Sequence, residues 1–249
     1  MKEMLTLFRG ALTLNTQTFA DLKASPNVFR TGFLFVVVIG LLVGLVTGCV
    51  GIVAGMTTDP VKEIAQVRQQ MQQQMLQSMP PGADTSFFDS FNMGFRIAER
   101  IVTEAKTPLP RPVDVVFKQL GVIFSYPFGW LGSLILYGAL VQIFAALLGG
   151  RGTIAQMLGL SFLAVAPHII DVVNVLIGLI PVAGSCIAFL ISLLVLIWSV
   201  AVYIKGTAAA HEMDYGKVAF AVFAPIITGG ILAILFMCSF GVLIALANR

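Results

Sequence analysis

Apolar residues fall into five long runs along the chain, separated by short polar stretches and by one long polar insertion. The runs cover residues 31–56, 121–148, 156–180, 183–204 and 219–246. A helix needs about 20 apolar residues to cross the hydrocarbon core of a bilayer, and each run is long enough. The pattern therefore predicts an all-α fold, a polytopic bundle of five transmembrane helices.

Prolines modify this pattern at three places. The second run is predicted to begin as an interfacial helix at Val113 and to kink near Pro127. The third run contains Pro167, and the third and fourth runs are joined only by "IPVAGS". Pro181 and Gly184 interrupt any single long helix there, which would also overshoot the bilayer. The sequence therefore predicts a tight helical hairpin at this point.

Residues 1–30, before the first run, are predicted to form two short interfacial helices. Lys2 and Arg9 lie beside an apolar face, an arrangement typical of the lipid headgroup region. Asn15 or Thr16 can cap the second helix, which ends before Pro26. An equally good interpretation is that this segment packs against the protein's own surface. The apolar face of the first helix consists of Met4, Leu5, Phe8 and Leu12.

Residues 57–112, between the first two runs, are polar and are predicted to form an extramembrane αα-hairpin. Asp59-Pro60 is typical of a helix start, and Ser86 with Asp89 offers a capping box for the second arm. One arm carries an apolar stripe of Ile64, Val67, Met71, Met75 and Met79. The other arm carries a stripe of Phe87, Phe91, Phe95, Ala98, Val102 and Ala105.

Two uses of these stripes remain open. They can pack on each other or on the membrane surface, or they can form a site for a membrane-protein partner or for self-association through residues 59–106. The remaining four helices of the membrane domain occupy residues 113–249, after the first transmembrane helix at 31–56.

Glycines recur along the first run at spacings of three and four, in "GLLVGLVTGCVGIVAG". Glycines one helical turn apart leave a flat strip where a second helix can approach closely. The ridge predicts helix packing, against a helix of the same chain rather than one of a neighbouring copy. It consists of Gly40, Gly44, Gly48, Gly51 and Gly55.

Composition agrees with a membrane protein. Hydrophobic residues make up 58% of the 249 and charged residues 11%, whereas soluble domains carry about 25% charged residues. Mean hydropathy is +0.95. The net charge of +3 includes no dense basic run that would indicate nucleic acid binding. Three widely spaced cysteines and two histidines predict neither a metal site nor another cofactor.

The three cysteines, Cys49, Cys186 and Cys238, are predicted to be small buried residues, although a disulfide between two of them is conceivable. No signal peptide is expected, because the first strongly apolar run begins only near Phe33.

The distribution of basic residues predicts that the N-terminus lies in the cytosol and the C-terminus outside. In that orientation the opposite side carries only Arg249 apart from the long insertion, which is too mixed in charge to decide. The cytosolic segments then carry Lys2, Arg9, Lys23, Arg30, Arg151, Lys205 and Lys217.

Two short motifs resemble catalytic or binding signatures but lack required residues. "LLGGRGT" at 147–153 has neither the terminal Gly-Lys-Ser/Thr nor the preceding strand of a phosphate loop, and is interpreted as a turn. "HEMDY" at 211–215 lacks the second histidine of a zinc protease, and is interpreted as a solvated connector that offers a possible docking point.

The polar residues of the third run form the main candidate for an intramembrane site. His168 and Asp171 share one helix face, Asn174 continues it, and Pro167 directly precedes them. An ionisable residue at this depth costs at least about 2.5–3.5 kcal/mol and usually faces protein or water. Since Pro167 frees a backbone carbonyl that needs a nearby donor, a structural role is favoured over a proton pathway.

The order of these features resembles the Ypt-interacting-protein (YIP) domain family, in its bacterial branch. The resemblance lies in "NTQTFADLKASP", in the Gly-Gly turn and Ala-Pro step of "ALLGGRGTIAQMLGLSFLAVAPHII", and in "IWSVAVYIKGTAAAHEMDYGKVAFAVF". It covers mainly residues 145–246. It implies a five-helix membrane domain with a cytosolic N-terminus and no enzymatic residues. Eukaryotic relatives bind Rab-type GTPases and act in vesicle formation, whereas a bacterial member implies a multi-pass protein of the cell membrane.

The sequence therefore favours a non-enzymatic scaffold or adaptor in membrane organisation or trafficking, in contact with the lipid bilayer and with membrane partners. The alternative is a small proton-linked transporter or permease that uses His168 and Asp171. The two hypotheses differ in whether water reaches position 171.

Overall fold

The structure is a computed structural model, and it is helical over nearly all the residues it describes. No strand occurs within those residues, so the all-α prediction is confirmed. The described residues are 2–57, 60–78, 92–97, 100–101, 109–180 and 183–247.

The helices divide between two compact units. One unit comprises Met1–Val46 and Ile123–Arg249, and the other comprises Thr47–Val122. The helices are α1 (Lys2–Leu12), α2 (Thr16–Ala24), α3 (Val28–Thr57), α4 (Pro60–Ser78), α5 (Arg111–Leu147), α6 (Ile154–Ser161), a 3-10 helix (Phe162–Ile170), α7 (Asp171–Ile177), α8 (Ala183–His211) and α9 (Tyr215–Ala247).

Five helical segments are long and apolar enough to cross a membrane, as predicted. They are Val28–Thr57, Arg111–Leu147, Ile154–Ile177, Gly184–His211 and Tyr215–Ser239. The third is composite, since α6, the 3-10 helix and α7 follow one another without a break. The chain is therefore a multi-pass membrane protein in contact with the lipid bilayer.

The fourth spanning helix is longer than its apolar run. The run ends before Lys205, but α8 continues to His211. Lysine stems can lie along apolar surface while the charge points outward, and the alanines of "GTAAAH" are strong helix formers. As a result, only residues 212–214 separate α8 from α9.

Helix α5 begins at Arg111, two residues before the predicted interfacial start at Val113, and runs through Pro127 as one helix. A proline removes the hydrogen bond to the carbonyl four residues earlier, here that of Ile123. This carbonyl lies against Gly44, where an added Cβ would come within 2.9 Å of the oxygen.

The N-terminal helices pack against the protein itself. Asn15 caps α2 by accepting a hydrogen bond of 2.9 Å from the Gln17 N–H. Phe19 on α2 is fully buried. The Trp198 indole on α8 donates to the Leu12 carbonyl over 3.1 Å. Of the two interpretations left open by the sequence, the structure shows contact with the protein's own surface, while a position in the headgroup region stays a prediction.

The unit Thr47–Val122 brings together two helical arms of the insertion. Arg68 and Gln72 on α4 both donate to the Asn92 side-chain oxygen, over 3.3 and 2.5 Å. Val67 and Met71, predicted members of an apolar stripe, are each 42% exposed, so the described residues do not cover that stripe.

Several residues of the predicted hairpin cannot be compared in this way. The side chain of Met75 is outside the described part of the structure. The residues Asp59, Met79, Ser86, Phe87, Asp89, Phe91, Ala98, Val102 and Ala105 also lie outside the described residues.

Candidate functional site

Pro167 lies inside a 3-10 helix of nine residues, Phe162–Ile170. Proline cannot donate the hydrogen bond of an α-helix interior, and its ring clashes with the carbonyl of residue i−4. Runs of 3-10 helix longer than three or four residues are uncommon and often mark functional or strained segments. Residues 162–167 are all buried, so neighbouring helices hold this segment in place.

His168 and Asp171 bond to each other at the end of the 3-10 helix. The His168 Nδ1 and the Asp171 Oδ2 are 2.7 Å apart. The His168 ring also lies against Trp130 of α5, with ring centroids 4.9 Å apart. The side chains of His168 and Asp171 are 29% and 20% exposed. Within the third span, one nitrogen of His168 and one oxygen of Asp171 thus have a hydrogen-bond partner.

Asn174 lies one turn further along but makes a separate contact. Its amide nitrogen donates to the Ser192 hydroxyl on α8 over 2.8 Å. Its oxygen is buried and has no partner among the described residues. The structure therefore places Asn174 on a link between the third and fourth spans, apart from the bond between His168 and Asp171.

Three further polar side chains near His168 were not singled out in the sequence. The Tyr137 hydroxyl on α5 donates to the Val222 carbonyl on α9. Tyr203 stacks near Tyr137, with centroids 5.5 Å apart. Ser199 lies one turn before Tyr203 on α8, and its hydroxyl is buried without a partner among the described residues. A spacing of four residues in "SVAVY" was the available signal.

The turn between α5 and α6 is tightly built. Gly149 has a φ of +90°, which favours glycine. The Gly152 N–H donates to His211 Nδ1 over 3.2 Å, and Gln142 donates to the Gly152 carbonyl over 3.1 Å. Thr153 forms a capping box with Gln156 at the start of α6. The interpretation of "LLGGRGT" as a turn is confirmed.

His211 corrects the interpretation of "HEMDY" as a solvated connector. It is the last residue of α8 and only 1% exposed. Gly150 and Gly152 lie so close to its ring that an added Cβ would come within 2.6 and 3.1 Å of Nδ1. Helix α8 continues past the end of the apolar run, and this continuation places His211 in the interior of the protein.

Glu212, the next residue, is exposed and binds Lys23 of α2. The Lys23 ammonium and the Glu212 carboxylate are 2.7 Å apart. The hydrogen bond from Lys23, together with its positive charge, lowers the pKa of Glu212 below its usual value. This ion pair joins the N-terminal helices to the connection between α8 and α9.

The glycine ridge of α3 meets residues of α5 within each unit. In the larger unit, an added Cβ on Gly40 would lie 2.7 Å from the Pro127 Cα. In the unit Thr47–Val122, Gly51 lies against Gln119 and Gly55 against Val115. Gly48 is buried, and Gly44 lies against Ile123 as described above.

A second close approach was missed in the sequence. An added Cβ on Gly32 of α3 would come within 2.3 Å of the Gly159 carbonyl oxygen on α6. Gly32 lies two four-residue steps before Gly40, so the ridge begins earlier than the predicted stretch.

The prediction that the three cysteines are buried is wrong. Cys49, Cys186 and Cys238 are all free, and all are exposed rather than buried. In a spanning helix, a small apolar residue can face lipid or an uncovered groove at no cost in free energy. The apolar sequence around these cysteines therefore did not require them to be buried. Within the described residues, no cluster of three or more histidine, cysteine or acidic side chains is placed to hold a metal ion.

Comparison with known families assigns the chain. The model of the Yip1 domain family matches residues 9–237. The chain belongs to the Yip1 domain family. The match begins well before residue 145, takes in α2, all of α3 and the described part of the insertion, and ends at residue 237. Searches among curated proteins and among solved structures returned no match.

Proposed function

We propose that this Yip1-domain protein is a non-enzymatic membrane scaffold that binds other membrane proteins through its helical insertion. The observation that carries the proposal is a set of large apolar side chains left exposed in the unit Thr47–Val122. Val67 and Met71 are exposed one helical turn apart on α4, and Met93 and Ile97 are exposed at the same spacing on the second arm.

These side chains lie outside the five spanning helices, where exposure to lipid would otherwise account for them. Contiguous apolar surface in that setting indicates an interaction site. Methionine suits such a surface because its flexible thioether adapts to different partners. The bonds from Arg68 and Gln72 to Asn92 hold the two arms together, which supports a preformed surface.

The polar residues of the third span support the scaffold over the alternative of a proton-linked transporter. His168 bonds to Asp171, and Asn174 bonds to Ser192. Each of these intramembrane side chains thus has a hydrogen-bond partner within the bundle. The same proposal includes a cytosolic N-terminus, which the basic residues outside the insertion support. It also includes a bacterial cell membrane as the location, for which the resemblance to the bacterial branch of the family is the support.

Site-specific photocrosslinking in native membranes tests the scaffold. A photoreactive amino acid replaces Met71 in the full chain, and a matched control places it at Gln69, which is exposed on the opposite side of α4. We expect a defined protein adduct from position 71 and none from position 69. An adduct of twice the chain mass would identify the partner as a second copy.

Two further measurements bear on the same surface. Met71→Glu should abolish the adduct formed from a photoreactive residue at Ile97, because a charge at the centre of an apolar interface is left desolvated. Only lipid adducts from position 71, or identical adducts from positions 69 and 71, would refute the proposal.

A further inference from the structure

A cavity of about 250 Å³ lies inside the larger unit, bounded by α5, the 3-10 helix, α8 and α9. Trp130 and Tyr137 line it from α5, Ala164 from the 3-10 helix and Val200 from α8. Protein interiors contain few voids larger than a water molecule. Small-molecule sites usually measure about 300–1,000 Å³, so this cavity is large enough for part of one small molecule.

The cavity opens toward the side of the bundle. Phe223 and Ile226 of α9 line it and are both exposed, and so is Ser133 of α5. The exposed apolar surface of α9 continues from there through Ile227 and Ile231. Because α5 and α9 are spanning helices, this surface faces lipid. The opening is therefore continuous with the lipid interface, and the molecules that reach it are components of the bilayer.

His168 supplies the cavity with a polar atom in a fixed position. Its Nδ1 is engaged by Asp171 over 2.7 Å, and its ring rests on Trp130. With Nδ1 engaged, Nε2 is the remaining polar atom of the ring, and it has no partner among the described residues. A neutral imidazole accepts a hydrogen bond from an O–H group at this nitrogen, and a protonated one donates to an oxygen.

A buried hydroxyl in the cavity wall points to the same chemistry. Ser199 lines the cavity and is 9% exposed, and its hydroxyl has no partner within the described part of the chain. An unsatisfied buried polar group is unfavourable, and natural proteins rarely leave one unpaired. An oxygen on a bound molecule would satisfy such a group after a small change of rotamer.

We propose that this cavity binds the hydrocarbon chain of a lipid that carries a hydroxyl or carboxyl group, with that group at His168. The apolar wall matches the chain, the lateral opening admits it from the bilayer, and the unpaired polar atoms match its oxygen. A free long-chain acid and a hydroxyl-bearing acylglycerol share this chemistry. The cavity volume of about 250 Å³ accommodates part of one such chain.

Photolabelling of the purified full chain in lipid nanodiscs tests the proposal. The probe is a long-chain fatty acid with a diazirine in its chain, and labelled residues are mapped by mass spectrometry. We expect labelling of cavity residues that saturates and that unlabelled fatty acid displaces. Ile226→Trp should block the opening and remove this labelling, whereas Ile227→Trp, a change at the neighbouring exposed position, should leave it intact.

His168→Leu tests the polar contact separately. Loss of one hydrogen bond should weaken binding about fivefold to tenfold, while labelling still occurs at the same residues. A diazirine probe with the same chain but no oxygen should bind as weakly to the natural protein as the fatty acid binds to the variant. Equal affinities of the two probes for the natural protein would overturn the assignment of the oxygen to His168.

Competition distinguishes the two sources. Displacement by fatty acid but not by monoacylglycerol assigns a free acid, and displacement by monoacylglycerol at a lower concentration than fatty acid assigns a hydroxyl-bearing acylglycerol. Labelling that does not saturate, or that is the same in Ile226→Trp and Ile227→Trp, would show only the general lipid contact of a membrane helix and would overturn the proposal.

Discussion

The two histidines of the chain occupy opposite kinds of environment. His168 lies within an apolar run of the sequence, yet it is 29% exposed and borders a cavity. His211 lies where the sequence turns polar, yet it is 1% exposed and bonded to a backbone N–H. Depth in a hydropathy pattern and burial in the folded bundle are therefore different quantities. Burial is determined by the contacts between helices.

Side-chain size explains the difference. Around His211, Gly150 and Gly152 let the turn approach the end of α8 until the ring is enclosed. Next to His168, the space between helices is occupied by two large aromatic side chains, Trp130 and Tyr137. They do not fill it completely, and the cavity remains. Small residues give close contact in membrane bundles, whereas large aromatic ones leave room for another molecule.

The largest expected effect comes from filling the space at the His211 turn. Gly152→Val should destabilise the protein by about 1–3 kcal/mol or more, because its Cβ would come within 2.6 Å of the Ala210 carbonyl oxygen. Thermal unfolding of the purified protein in detergent measures the loss. Gly132→Val is the control, since an added Cβ there meets nothing within 4 Å. Equal unfolding temperatures for both variants would contradict the tight turn.

Exchange of each histidine compares the two regions directly. His211→Leu removes the acceptor of the Gly152 N–H and should cost about 1–3 kcal/mol. His168→Leu should cost less, because the His168 side chain is 29% exposed and its removal leaves less unfilled space than that of a fully buried ring. Unfolding temperatures in the same detergent provide the comparison. A larger loss from His168→Leu would reverse the proposed order.

Asp171→Asn should have a smaller effect still. The asparagine amide oxygen can accept the same hydrogen bond from His168 Nδ1. The contact of 2.7 Å is therefore kept, while the negative charge of the aspartate is lost. We expect a loss of at most about 1.5 kcal/mol. Asp171→Leu, which removes the acceptor, should be measured beside it. If the asparagine variant is as unstable as the leucine variant, the charge rather than the hydrogen bond holds this region.

The smallest effect is expected at Glu212, where the sign follows from its lowered pKa. A carboxyl group whose pKa is lower in the folded protein adds stability above its unfolded pKa, and loses that contribution as the pH falls through its folded pKa. Glu212→Gln should therefore lower the unfolding temperature slightly at neutral pH and not at all in acid.

Salt provides the control for this last variant. The bond to Lys23 involves an exposed carboxylate, so high ionic strength should also remove the difference between Glu212→Gln and the natural protein. Glu3→Gln removes the same charge elsewhere and should show no such pH dependence. A difference that persists in acid would mean that Glu212 acts through something other than its ion pair.

The parts of the fold that depend on neighbouring residues were predictable from sequence. Five apolar runs gave five spanning helices. Asn15 was one of two cap candidates beside Thr16, and its side chain bonds only two residues away. The end of α8 was not predictable in this way. Hydropathy falls at Lys205, whereas helix propensity carries the backbone on to His211.

Features that depend on distant residues also escaped the sequence. The identity of Pro167 indicated a disturbance of the helix, but the choice of a 3-10 helix over a kink depends on the helices that enclose residues 162–167. The exposure of Val67 and Met71 similarly depends on which face of α4 meets Asn92. The candidate residues His168 and Asp171 were found, but the cavity beside them was not, since its walls come from four separate segments.

The hydrogen bond between Leu12 and Trp198 has a consequence for biosynthesis. It joins residues 186 positions apart, and Lys205 reaches Thr16 across a similar separation. Chains are made from the N-terminus, and contacts between distant residues form late. Since α1 and α2 precede α8 in the chain, Leu12 and Thr16 can form these bonds only after α8 has been made. Helices α1 and α2 are therefore synthesised before α8 but reach their final contacts only with it.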